Sequence, residues 1–156
     1  MSDVAEKWGK TVAARGFSQI PNYLMLLNMF HEPEARLTPV ELLILLQLVG
    51  TWWRKGDQPF PSMGTLAVRC GVSVRQVQRS INRLEELKLI GRVKRRNKGL
   101  IASNAYDLTP LIIHLHEVAK AFPNEFPRRP HRGQKNAPPA PVGDIILDDA
   151  DLEHHP

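Results

Sequence analysis

Only Gly71 and Val72 separate one helix-forming run from the next. A joint that short, with glycine supplying a positive φ angle, sets two helices against each other as a pair. The first run, Met63 to Cys70, follows Pro61-Ser62 and stops at Gly71, as helices that end on glycine do. The second opens with Ser73-Val74-Arg75-Gln76, a serine N-cap with glutamine at the capping-box position, and should run to Leu87. Within it Val74, Val77, Ile81 and Leu84 recur at helical spacing and form the buried stripe. Counting about 100° per residue from Val77, the opposite face holds Arg75, Arg79, Asn82 and Glu86, flanked by Gln76, Gln78 and Arg83. The helix so predicted turns one side to a core and the other to a polar partner.

The surrounding segments supply that core. Thr38-Pro39-Val40-Glu41 is a helix start on three counts: an N-cap hydroxyl, proline at the first helical position and a capping-box glutamate. This helix should run to about Trp53, and its apolar residues cover nearly every side, with Trp52 and Trp53 read as core. Tyr23 to Phe30 predicts a shorter helix, and the stretch before it, from Phe17 to Pro21, should be extended. After Leu89-Ile90-Gly91, the run Arg92-Val93-Lys94-Arg95-Arg96, the turn Asn97-Lys98-Gly99 and an alternating stretch with Tyr106 and Leu108 make a hairpin pattern. Thr109-Pro110 repeats the cap-plus-proline start, and Leu111, Ile112, Leu115 and Val118 give a last helix that packs back on the core. The fold class expected is mainly α with a small β-hairpin.

Composition divides the chain. Seven of the 13 prolines lie after Phe122, so the part that does not pack is expected there. Three segments follow: a flexible N-terminus over 1–16, one domain over 17–121, and a disordered Pro-rich tail over 122–156. The tail is first basic (Arg128, Arg129, Arg132, Lys135), then acidic and apolar from Asp144 to Glu153. Residues 1–121 carry 17 of the 21 cations and 10 of the 16 anions, so the domain is more basic than the whole chain at +5 and should attract polyanions.

Other classes find little support. The single cysteine, Cys70, has no disulfide partner and reads as a small core residue. The six histidines show no ligand spacing beyond the terminal pair His154-His155, so no metal and no cofactor is expected. The N-terminus has charges where an export signal needs an apolar core, and the most apolar run, Pro39 to Trp53, falls short of a membrane span. With no nucleophile-base pairing, phosphate loop or placed carboxylate pair, the chain does not read as an enzyme and no catalytic residue is proposed. A reducing, cytoplasmic setting fits these features.

The order helix, helix, tight turn, helix, basic hairpin is that of a winged helix-turn-helix. The residues carry the likeness further. Pro61-Ser62-Met63-Gly64-Thr65-Leu66-Ala67, then Gly71-Val72-Ser73-Val74-Arg75-Gln76-Val77-Gln78-Arg79, then Leu84-Glu85-Glu86-Leu87-Lys88-Leu89-Ile90, resembles the helix-turn-helix family of plasmid and phage replication proteins and mobile-element regulators. The likeness runs over about residues 37 to 108. Lys88 stands where that family commonly has glycine, which predicts a less sharp helix end. A second domain of the kind usual in replication initiators is not expected from this sequence.

What the resemblance implies is binding of double-stranded DNA, with Ser73 to Leu87 as the helix that enters the major groove. Ser73, Arg75, Gln76 and Arg79 are then the candidates for base contacts, since arginine pairs with guanine edges and glutamine with adenine. Gln78, Asn82 and Arg83, the hairpin cations Arg92, Lys94, Arg95, Arg96 and Lys98, and Ser62 at its helix N-terminus are the candidates for phosphate contacts. A sequence-specific transcriptional regulator of a plasmid, phage or other mobile element is the first reading, bacterial and nucleoid-associated when bound. Two others stay open: a replication-initiation or partition factor on origin repeats, and a protein-binding adaptor. A homodimer is a candidate assembly because one such module buries only about 600 to 1,000 Å² on DNA. The acidic tail is a candidate site for a protein partner.

Overall fold

A computed structural model describes residues 3–126, excepting the side chains of Asn97 and Ile101. Among the described residues, seven α-helices and four short strands follow one another: α1 (Asp3–Trp8), α2 (Lys10–Ala13), α3 (Asn22–Met25), α4 (Pro39–Gly50), α5 (Met63–Cys70), α6 (Val74–Glu86), β1 (Gly91–Val93), β2 (Arg96–Asn97), β3 (Leu100–Ile101), β4 (Ala105–Asp107) and α7 (Thr109–Ala121). The fold is mostly helical with an antiparallel hairpin after α6, a winged helix-turn-helix. Everything expected of the tail from residue 127 onward lies outside the described residues.

Helix starts form where capping chemistry puts them. The Thr38 hydroxyl accepts from the Glu41 amide at 3.2 Å, the Glu41 carboxylate accepts from the Thr38 amide at 2.9 Å, and Pro39 opens α4. Ser62 and Ser73 each accept an amide hydrogen bond from the residue three on, Thr65 and Gln76, both at 3.1 Å. Where these helices stop departs further from the pattern of apolar residues. Instead of reaching Trp53, α4 ends at Gly50, because the Thr51 hydroxyl donates back to the Gln47 and Leu48 carbonyls and closes the last turn. Trp52 packs against the core, but Trp53, read as core, stands 80% exposed in the connection that follows. The Tyr23 to Phe30 segment is split into α3 and a 3₁₀ turn over Leu27–Phe30. The N-terminal 16 residues include α1 and α2, neither of which buries a residue.

Two helix ends share one geometry. At the end of α5, Gly71 takes φ 67°, the Val72 amide reaches the Ala67 carbonyl and the Gly71 amide the Val68 carbonyl. At the end of α6, Lys88 takes φ 57°, the Leu89 amide reaches the Leu84 carbonyl and the Lys88 amide the Glu85 carbonyl. Both are Schellman closures. The gradual end expected from a lysine in the glycine's place does not occur. Burial of Leu89 and Ile90 just beyond holds Lys88 in the left-handed region despite its Cβ.

The core gathers Leu24, Leu27 and Leu37 with Ile44, Leu45 and Leu48 of α4, Leu66 of α5, Val77, Ile81 and Leu84 of α6, and Tyr106, Leu108 and Leu111. Sixteen buried residues form this one cluster. Each large aliphatic side chain so buried contributes about 1.5–3 kcal/mol, which is what holds α6 at a fixed angle to α4 and α5. Val74 leaves the stripe: at the first turn of α6 it projects past the core and is 43% exposed.

The hairpin is paired in two stretches. Gly91 to Val93 run antiparallel to Asp107 to Ala105, and Arg96-Asn97 to Ile101-Leu100. Between them Lys94-Arg95 face three residues, Ala102 to Asn104, so the return strand carries one extra residue and bends. The tip is a two-residue turn, Lys98-Gly99, with φ 52° and 80°, the left-handed pair of a type I′ turn, rather than the three residues expected. The Tyr106 amide also bonds the Pro59 carbonyl at 2.9 Å, which fastens the α4–α5 connection to the base of the hairpin. At the start of α7 the cap lies earlier than expected: the Asp107 carboxylate, not the Thr109 hydroxyl, takes up an orphan amide, that of Thr109, at 3.0 Å. His31 and His114 meet through their Nε2 atoms at 2.6 Å, with His31 Nδ1 2.9 Å from the Ala35 carbonyl, and tie the segment before α4 to α7.

Candidate nucleic-acid interface

The face of α6 opposite the core is set by the buried residues Val77, Ser80, Ile81 and Leu84. Ser80 is buried without cost because its hydroxyl donates to the Gln76 carbonyl at 2.8 Å. With that side fixed, Arg75, Gln76, Gln78, Arg79 and Asn82 are all exposed. The side chains of Arg75, Gln78 and Arg79 find no hydrogen-bond or ion-pair partner among the described residues, and the Gln76 side chain finds none either. Ser73, at the head of the same face, spends an acceptor position on the Gln76 amide and keeps its O–H to donate. These groups are what an adenine or guanine edge pairs with.

The residues expected at phosphates divide into two kinds. Lys94, Arg96 and Lys98 are exposed on the hairpin and have no partner among the described residues. Ser62 is exposed at the head of α5, with its hydroxyl also donating to Thr65 Oγ1 at 2.9 Å. The other arginines are already occupied. Arg83 donates through Nη1 to Glu41 Oε1 at 3.2 Å and through Nη2 to the carbonyls of Glu34 at 2.9 Å and Arg36 at 3.2 Å. Its guanidinium therefore pins the segment before α4 to α6. Arg92 forms a two-pronged pair with Glu85, Nε to Oε2 at 3.0 Å and Nη2 to Oε1 at 3.1 Å, and its Nη2 also donates to Asn82 Oδ1 at 2.6 Å. Arg95 lies 3.9 Å over the Phe60 ring. It lines an open cleft of about 880 Å³ between the α4–α5 connection and the hairpin, together with Arg54 and Arg69.

The Glu85–Arg92 pair links the base of the hairpin to α6. The hydrogen bonds from Arg92 hold the Glu85 carboxyl below its ordinary range and raise the guanidinium's own value. Each partner thus favours the charged form of the other, which strengthens the link. Sequence spacing offered one hint of it: Asn82 and Glu85, three apart, share a helix face. Nothing local indicated Arg92, seven residues further and past the helix end. The Arg83 contacts, 42 to 49 residues away in sequence, left no signal. Cys70 is half-buried, and burial pushes its thiol up, which disfavours the thiolate.

Residues 35–90 match the family model described as a helix-turn-helix domain. The span runs from just before α4 to the residue before β1, so it holds α4, α5, the Gly71 joint and α6. No curated protein matches this chain. Fold and match together define a helix-turn-helix module that carries a wing. No helix among the described residues is long and apolar enough to cross a membrane, and no three potential ligands among them are grouped for a metal.

Proposed function

We propose that the chain binds duplex DNA in a sequence-specific way, with α6 in the major groove and the hairpin along the phosphate backbone. The observation that carries this is the exposed, unpartnered set Arg75, Gln76, Gln78 and Arg79 on a helix whose opposite side is locked into the core. Arg75, Gln76, Arg79 and the Ser73 hydroxyl contact bases. Lys94, Arg96 and Lys98 contact phosphates, with Ser62 and Gln78 beside them. Arg83, Arg92 and Asn82 position these elements. The role that fits is a regulator of transcription on a plasmid, phage or other mobile element, acting in the bacterial cytoplasm by binding rather than by catalysis. The resemblance of residues 37–108 to regulators of such elements supports that role.

Selection from a random duplex pool, followed by binding to the winning sequence across a salt series, tests the proposal. The wild type should yield a defined motif, and Arg79→Ala should blur it at one base pair by about 1–3 kcal/mol. Lys94→Ala and Arg96→Ala should leave the motif intact and each reduce the salt slope by about 0.9. Binding without a motif, fading uniformly with salt, refutes the proposal.

A further inference from the structure

Val74 is the apolar exception at the head of the recognition face. It is the first residue of α6, between the Ser73 cap and Arg75. Counting about 100° per residue, it lies some 60° from Val77 around the helix, on the edge where the core stripe meets the polar face, one turn before Gln78. Val77, Ile81 and Leu84 on that stripe are fully buried, whereas Val74 is 43% exposed and touches no polar partner. The core thus leaves a β-branched side chain uncovered beside Arg75, at the end of the helix that goes deepest into a groove.

Of the unmodified bases, thymine alone presents a methyl group in the major groove, at its C5. We infer that Val74 reads a thymine methyl at one position of the bound site, next to the base pair contacted by Arg75. The inference rests on the DNA-binding reading of α6 and adds to it a side chain whose chemistry hydrogen-bond donors cannot supply. Val74 is stiff at χ1, so its two methyl groups are presented in one orientation, and their desolvation against the thymine methyl gives the preference. The shape of the discrimination follows. Thymine and 5-methylcytosine share the methyl, while uracil has thymine's hydrogen-bonding groups without it.

The test uses the selected duplex with each thymine replaced in turn by deoxyuridine, so that a single methyl is removed and pairing is kept. Wild-type protein and Val74→Ala are titrated against the series at one salt concentration, using full-length chain. At one thymine the wild type should lose about fourfold in affinity, the equivalent of one buried methyl group, and Val74→Ala should bind the thymine and uracil forms equally. Val74→Thr, which keeps one γ-methyl, should retain part of the preference. Because Val74 is outside the core, both variants should melt with the wild type. If the wild type holds its motif but ignores every thymine methyl, or if Val74→Ala keeps the preference, this inference is overturned and the DNA reading stands. If no motif is selected at all, both are overturned together.

Discussion

Replacing Arg83 by alanine separates two roles that its position on α6 allows. If Arg83 is a pin within the fold, the substitution strips a partner from Glu41, whose side chain is only 7% exposed. Breaking a fully buried pair costs about 3–5 kcal/mol, because the remaining charge is uncompensated. Two features lower that figure here. The Arg83 side chain is 31% exposed, so water can follow into its place, and the Glu41 carboxylate keeps the Thr38 amide at 2.9 Å. The Glu34 and Arg36 carbonyls also lose a donor, but at a wet edge. The expected loss is about 2–3 kcal/mol. At about 4 °C per kcal/mol for a chain of this size, that lowers the melting temperature by about 8–12 °C. Thermal unfolding by far-UV circular dichroism reads it directly, and Arg83→Ala in a Glu41→Gln background should cost much less, since the uncompensated charge is gone. A side chain serving only as a phosphate contact would leave stability within about 0.5 kcal/mol and lower the salt slope of DNA binding by about 0.9. That second pattern would refute the pin.

Two further outcomes follow from the geometry. Lys88→Gly should stabilise by about 0.5–1 kcal/mol in urea unfolding, because lysine is held at φ 57° where only glycine is free of strain, and the gain exceeds glycine's added chain entropy; a destabilised variant would count against the strained closure. Burial, and then the neighbouring His31, push the His114 imidazole below its ordinary value near 6.5, so folding excludes a proton that the unfolded chain binds. The stability linked to His114 is therefore complete above about pH 6.5 and falls as pH drops through it, levelling off below the folded value; His114→Gln should flatten that part of a melting-temperature profile, and an unchanged profile would refute the linkage to His114.

The parts of the fold that were legible in the sequence are those written in neighbours three or four residues apart. Ser62, Ser73 and Thr38 form their caps with the third residue on, and Gly71 takes the positive φ that its place in the joint requires. Misreadings came where a neighbouring side chain, or the burial of the next residues, outweighed the apolar pattern. Lys88 looked unable to replace glycine, yet the buried Leu89 and Ile90 impose the turn. Trp53 looked like core because it continues an apolar run, but Thr51 ends the helix two residues before it. The Thr109 hydroxyl looked like a cap, and the Asp107 carboxylate at the end of β4 took the position instead.

For the candidate interface the division is sharper. Helical periodicity by itself turned Arg75, Gln76, Gln78 and Arg79 away from the core, although it also placed Val74 in the buried stripe that the structure leaves 43% exposed. Period and register are local properties of a helix. Whether a given cation on that surface is free or engaged was decided only by tertiary structure. Arg83 and Arg92 carry the same charge as Arg75 and Arg79, and they differ in having Glu41 and Glu85 brought within 3.2 Å. A guanidinium commits its donors to whichever acceptors the packed helices set in its plane, and those acceptors come from elements whose placement no stretch of neighbouring residues encodes.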